Sequence, residues 1–184
     1  MYEYFPFVFL LSLDSSMYIG SMKTILRTVL HLTLIVWLGA EIFFPIVAAV
    51  TFAALRPDTH MAGAIVGHLL RILHGMGYSC GMIAVLMLAL GATRKYFNPR
   101  AALVPVGVLA VMIGLTLYSQ LGILPAMERD RISAGGAIDV VNATNTSRID
   151  FERLHRQSVY VEETVLLLGL ATVCLVVRAE DKRD

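Results

Sequence analysis

ILRTVLHLTLIVWLGAEIFFPIVAAVTFAAL, residues Ile25 to Leu55, sets the class of structure this chain can form. It is apolar almost without a break and exceeds the about 20 helical residues that cross a hydrocarbon core. Yet Glu41 sits inside it. Three similar runs follow: Met61 to Thr93 with His68, Arg71 and His74, Ala101 to Met127, and Ile149 to Val177 with His155, Glu162 and Glu163. An ionisable group at bilayer depth costs about 2.5–3.5 kcal/mol on insertion scales unless a partner or water relieves it. These residues therefore point to a site.

Composition agrees with a membrane location. Hydrophobic residues make up 57% of the chain and charged ones 16%, against roughly 45–50% and about 25% in ordinary soluble domains. The apolar residues run continuously, whereas a membrane barrel shows segments of about 10 residues alternating in polarity. The expected fold is all-α: an integral membrane bundle of four antiparallel helices with spans at about 25–55, 61–93, 101–127 and 149–177. The lipid bilayer is then the first partner, and a net charge of +1 offers nothing to nucleic acid.

Arg56-Pro57-Asp58-Thr59 ends the first span and Arg94 to Arg100 separates the second from the third. Glu128 to Arg148, with Gly135-Gly136 and an Asn/Thr/Ser stretch, reads as an exposed polar loop. Lys23, Arg27, Arg94, Lys95, Arg100, Arg178, Lys182 and Arg183 fall on one side of this topology. The excess of basic residues there places both termini in the cytoplasm, and the membrane of a prokaryotic source would be the inner one. Residues 1–22 read as an extension, either an interfacial segment or a misassigned start, ahead of a four-span domain over 23–184. Cys80 and Cys174 fall at different depths and show no CxxC spacing, which argues against a disulfide or a thiolate zinc site.

Helix counting brings the buried charges together. At about 1.5 Å per residue, Glu41 lies roughly 22 Å from Arg56, His74 roughly 21 Å from His60 and Glu162 roughly 21 Å from Arg148. Trp37, Glu41, Pro45 and Ala48 share one face of the first helix, and His155, Glu162, Leu166 and Gly169 share one of the fourth. His74 lies on the stripe of Gly63, Gly67, Tyr78 and Gly81, and small residues at such spacing mark close helix approach or a homo-oligomer contact. His68 sits about 120° away from that stripe. On the third helix Gly107, Gly114, Tyr118 and Pro125 form the corresponding stripe. The expected constellation is Glu41, Arg71, His74, His155 and Glu162, with Trp37, Tyr78 and Tyr118 around it.

Such a set either pairs with itself, Arg71 facing Glu41 or Glu162, or binds a ligand. Two imidazoles and two carboxylates suit a transition metal, with His74, His155 and Glu41 as ligands. Glu152-x-x-His155 has the spacing of di-iron bundles, but the second helix offers Arg71-Ile-Leu-His74 where the second such motif belongs, and an arginine repels a cation. Haem ligation by His74 or His155 stays open, although their depths differ by roughly 10 Å. No nucleophile elbow, phosphate-cradling loop or zinc-protease helix is present, so the usual soluble-enzyme motifs are absent and the reading leans away from an enzyme without settling it.

Trp37-Leu-Gly-Ala-Glu41-Ile-Phe-Phe44, Gly67 followed by Arg71-Ile-Leu-His74, Ile123-Leu-Pro125-Ala-Met127 and Phe151-Glu-Arg-Leu-His155-Arg-Gln-Ser158 together resemble the transmembrane protein 205-like family. The resemblance runs from about Arg27 to Val177 and implies a four-span bundle of unestablished activity. A more remote similarity, to copper-resistance D-type membrane domains, implies metal or haem held by helix histidines. Three functions follow as alternatives: small-ion or metal handling, haem- or quinone-linked redox chemistry, and a structural or assembly role.

Overall fold

A computed structural model describes the side chains of residues 20–181 and the helical backbone from Phe5. The reading of residues 1–22 as a separate extension falls almost wholly outside those side chains, as do Lys182 and Arg183. Helix α1 is Phe5–Ala54, α2 Thr59–Thr93 and α3 Pro99–Tyr118. A π-helical turn, Ser119–Ile123, continues α3 into α4, Leu124–Ser133, and α5 is Thr146–Glu180. There is no strand among the described residues. Four segments are long and apolar enough to cross a membrane: Gly20–Ala54, Thr59–Thr93, Pro99–Ser133 and Thr146–Glu180. The chain is a four-helix membrane bundle.

Helices α2, α3 and α5 start where the sequence supplies a cap. Asp58 accepts a hydrogen bond from the Met61 amide at 2.9 Å, and Asn98 does the same for Arg100 and Ala101, with Pro99 pre-set for the first helical position. Asn145 caps α5 through Ser147 and Arg148. The sequence reading of Glu128 to Arg148 as loop needs correction, because α4 carries the third span on to Ser133. An Arg131–Glu128 ion pair of 2.7 Å, three residues apart, supports that extra turn.

Buried positions recur at steps of three or four: Leu70, Leu73, Gly77, Cys80, Ala84, Leu88 and Gly91 on α2, and Ala102, Pro105, Leu109, Met112, Thr116, Ser119 and Ile123 along the third span. On α5 the series is Ser158, Val161, Val165, Gly169, Thr172, Val176 and Ala179. This is the seam of a seven-residue repeat, in which each buried side chain inserts between residues of a facing helix. Three glycines make that insertion possible. A Cβ on Gly77 would lie 2.9 Å from the Trp37 indole nitrogen, one on Gly91 2.2 Å from the Phe97 ring, and one on Gly169 2.3 Å from Leu38.

Phe97 is fully buried against Gly91, and the amides of Tyr96 and Phe97 both bond the Gly91 carbonyl. The Asn98 amide reaches the Ala179 carbonyl at 2.9 Å, tying the α2–α3 turn to the end of α5. At the same end Arg27 of α1 holds the buried Glu180 at 2.7 Å. The bundle is thus closed tightly at this end. Replacing Gly91 by alanine forces the rigid Phe97 ring out of its seat, and should destabilise the protein by about 1–3 kcal/mol in denaturant unfolding from detergent. Gly107→Ala, at a position with nothing within 4 Å, should stay within about 0.5 kcal/mol of the parent protein in the same assay.

Candidate functional site

Near the middle of α2, His74 is fully buried and makes two side-chain contacts. Its Nε2 lies 2.9 Å from Glu162 Oε1 on α5, and its Nδ1 lies 2.8 Å from Gln120 Oε1 in the π turn. Both facing atoms are acceptors, so an imidazole with one N–H satisfies one of them and a ring with two satisfies both. Ser119 donates to the same Glu162 oxygen at 3.1 Å. The other carboxylate oxygen, Oε2, is buried without a hydrogen-bond partner. An orphaned buried acceptor costs about 1–3 kcal/mol, which a proton or a ligand would recover.

The π turn explains how Ser119 and Gln120 come to meet His74. Pro125 has no N–H and crowds the carbonyl four residues earlier, so the helix ahead of it cannot keep its ordinary register. The Leu124 amide bonds Ser119 instead, five residues back. One extra residue in the turn advances the helix face, and such turns concentrate at functional positions. Pro45 does something similar in α1: it removes the N–H that would bond the carbonyl of Glu41. The Glu41 carboxylate itself is buried and accepts from the Trp37 indole at 3.0 Å.

A cavity of about 770 Å³ lies between α1, α2 and α5 and includes Glu41 and Glu162 in its wall. Phe44, Phe52, Val66, Leu70, Leu124, Met127, Phe151 and Leu166 make most of its surface apolar. Ile138 and Asp139 of the α4–α5 loop cover one end, where Arg148 bonds the Asp139 and Val141 carbonyls and pairs with Glu152 at 3.1 Å. Glu163, His155 and Arg156 also line it. Beyond Glu41 and Glu162, towards the Arg27–Glu180 end, Leu38 packs on Gly169 and closes the space. The cavity therefore ends among carboxylates.

The structure brings the sequence-derived candidates together unevenly. Trp37, Glu41, His74 and Glu162 converge, with Tyr78 donating to the Thr116 carbonyl at 3.1 Å beside them. His155 stands at the cavity wall, exposed and stacked on Phe151 with ring centres 6.4 Å apart. Arg71 and His68 are exposed on α2, and the expected pairing of Arg71 with Glu41 or Glu162 does not form. Three residues from His74, Arg71 is turned about 60° off the seam and so lies outside the bundle interior. Tyr118 also faces outward, its hydroxyl accepting from Gln157 at 2.7 Å, and Gly107 and Gly114 are exposed with it. The inward face of the third span is the Met112–Thr116–Ser119 side. Sequence reasoning missed Ser119 and Gln120. Two adjacent polar residues within an apolar run, one turn ahead of a proline, were the available signal.

As for a shared metal ion, the donors do not converge. No three His, Cys, Asp or Glu side chains among the described residues come near enough to share an ion. Both nitrogens of His74 are already engaged, so axial ligation would have to break one of its contacts. In a double-mutant cycle of His74→Ala and Glu162→Gln, measured by unfolding from detergent, the coupling should be about 1 kcal/mol or more. Tyr118→Phe should change stability by less than about 0.5 kcal/mol.

Comparison with known proteins places the first three spans. The family described as Domain of unknown function (DUF4149) matches residues 32–131, which include Glu41, His74, Ser119 and Gln120 but not Glu162. No curated protein and no solved structure matches the chain. With more than half of its length matched, this four-helix membrane protein belongs to the DUF4149 family.

Proposed function

We propose that the chain is a membrane-embedded binding protein for a cation, which it holds at the Glu41 and Glu162 end of the cavity. The observation that carries this reading is the buried Glu162 oxygen without a partner, on a side chain that lines a cavity large enough for a ligand. A carboxylate enclosed by apolar walls is stable only when a proton, a cation or a donor meets it. Glu41 adds a second carboxylate, and its carbonyl lacks its usual helical N–H because of Pro45. Freed carbonyls in broken membrane helices serve cations in transporters.

His74 gives the site a proton partner. Because its ring contacts Glu162 directly, proton gain or loss by the pair changes the charge that Glu162 offers to a ligand. Binding of a cation and release of a proton are then two sides of one equilibrium. In this proposal the helices run antiparallel with both termini in the cytoplasm, so the loop-covered end of the cavity lies towards the opposite side. Kinship with the transmembrane protein 205-like family, resting on the Trp37-to-Phe44 and Arg71-to-His74 motifs, belongs to the same proposal and adds no reaction.

A thermal-shift series on detergent-purified protein, with alkali-metal and organic ammonium ions at increasing concentration, tests the reading. A bound cation at a hundred times its Kd adds about 2.7 kcal/mol of stability, which for a chain of this size raises Tm by roughly 5–10 °C. At least one cation should do so saturably in the parent protein and not in a Glu41→Gln, Glu162→Gln double variant. Absence of any saturable shift, or an equal one in the double variant, would contradict it.

A further inference from the structure

We infer that the occupant of this cavity is an amphiphilic organic cation, a protonated amine on an aromatic or branched apolar body, and not a small inorganic ion. This rests on the cation-binding reading above and names the class of ligand. Volume is the first argument. At roughly 30 Å³ per molecule, a cavity of about 770 Å³ filled by a hydrated inorganic ion would also hold on the order of 20 waters. Most of those waters would lie against Phe44, Phe52, Leu70 and Leu166, where apolar surface gains nothing from them. An apolar body of drug size, which pockets of roughly 300–1,000 Å³ accept, covers those walls instead.

Charge is the second argument. Glu41, Glu162 and Glu163 line the cavity along the bundle, whereas its guanidinium groups, Arg148 and Arg156, belong to the first three turns of α5, next to the covering loop. Arg148 is spent on Glu152 and two loop carbonyls. The deep part thus favours a positive end, and phenylalanine faces add cation–π attraction on the way. A neutral lipid tail fits the walls but leaves the Glu162 oxygen without a donor, and an anion would meet three carboxylates. A primary ammonium carries three donors, enough to serve both floor carboxylates.

Trp37, the single tryptophan, bonds Glu41 and so reports on the floor of the cavity. The full chain in lipid nanodiscs would be titrated with 3,3-diphenylpropylamine, with the uncharged 3,3-diphenylpropan-1-ol, and with rubidium chloride, following Trp37 emission. The expected result is saturable binding of the amine, the alcohol weaker by about tenfold or more, and no displacement by rubidium. Glu41→Gln with Glu162→Gln should abolish amine binding. Ala48→Phe, which fills the cavity and leaves the carboxylates alone, should weaken the amine and not any response to rubidium; this variant decides the matter if the double variant does not fold. Saturable rubidium binding without amine binding would overturn the inference and leave the cation-binding reading standing. Equal binding of amine and alcohol, or no response to any of the three, would overturn both.

Discussion

The hydrogen bond between His74 and Glu162 is the constraint on which the rest of the arrangement depends. It spans from α2 to α5, and with Gln120 and Ser119 it draws the third span into the same point. Three helices are thereby fixed in register by one polar cluster, while apolar packing, which in lipid lacks a water-driven force, would leave them freer to slide. Trp37 brings in the fourth helix. Its ring lies over Gly77 and Gly81 of α2 while its indole N–H bonds Glu41, so one side chain both packs the α1–α2 seam and orients the second carboxylate.

Prolines set the polar groups in place. Pro45 and Pro125 each withdraw a backbone donor from a span, and each stands four or five residues beyond a group of the cluster: Glu41 in one case, Gln120 in the other. A helix in hydrocarbon tolerates that loss where neighbouring helices or polar side chains make it good. The cavity occupies the same region. From Glu41 and Glu162 towards the loop, α1 and α5 are separated by it, whereas towards Arg27 and Glu180 they close on Leu38 and Gly169. The molecule has an open half and a sealed half, and the ionisable cluster stands at the boundary.

Much of this is legible in the sequence because helix geometry is uniform along the axis. Apolar run length yields four membrane helices, and a rise of about 1.5 Å per residue is enough to set Glu41, His74 and Glu162 at one depth. Azimuth is less secure. Gly107 and Gly114 suggest an inward stripe through Tyr118, yet the inward side carries Met112, Thr116 and Ser119, because large and hydroxyl-bearing residues fill the seam there. The extra residue of the π turn then shifts the helix face beyond Ile123 by about 100°, so Tyr118 and Pro125 do not share a face as simple counting implies. Arg71 shows a different limit: a sequence lists charges at one depth and leaves unsaid which of them the bundle excludes. A cavity is further removed still, being a property of the space between helices and of no single one.

Chemical labelling from one side of the membrane tests most directly whether an open half reaches the cluster. In a chain with Cys80 and Cys174 replaced by alanine, single cysteines would be placed at Ala48 and Leu166 in the cavity wall, and at Leu34 and Val165 in the packed seam. A small charged methanethiosulfonate should modify the first two from the side of Arg148 and leave the other two unmodified. An unreactive Leu166 position, or one reached from the Arg94 side alone, would contradict a cavity that opens past the loop and ends at Glu162.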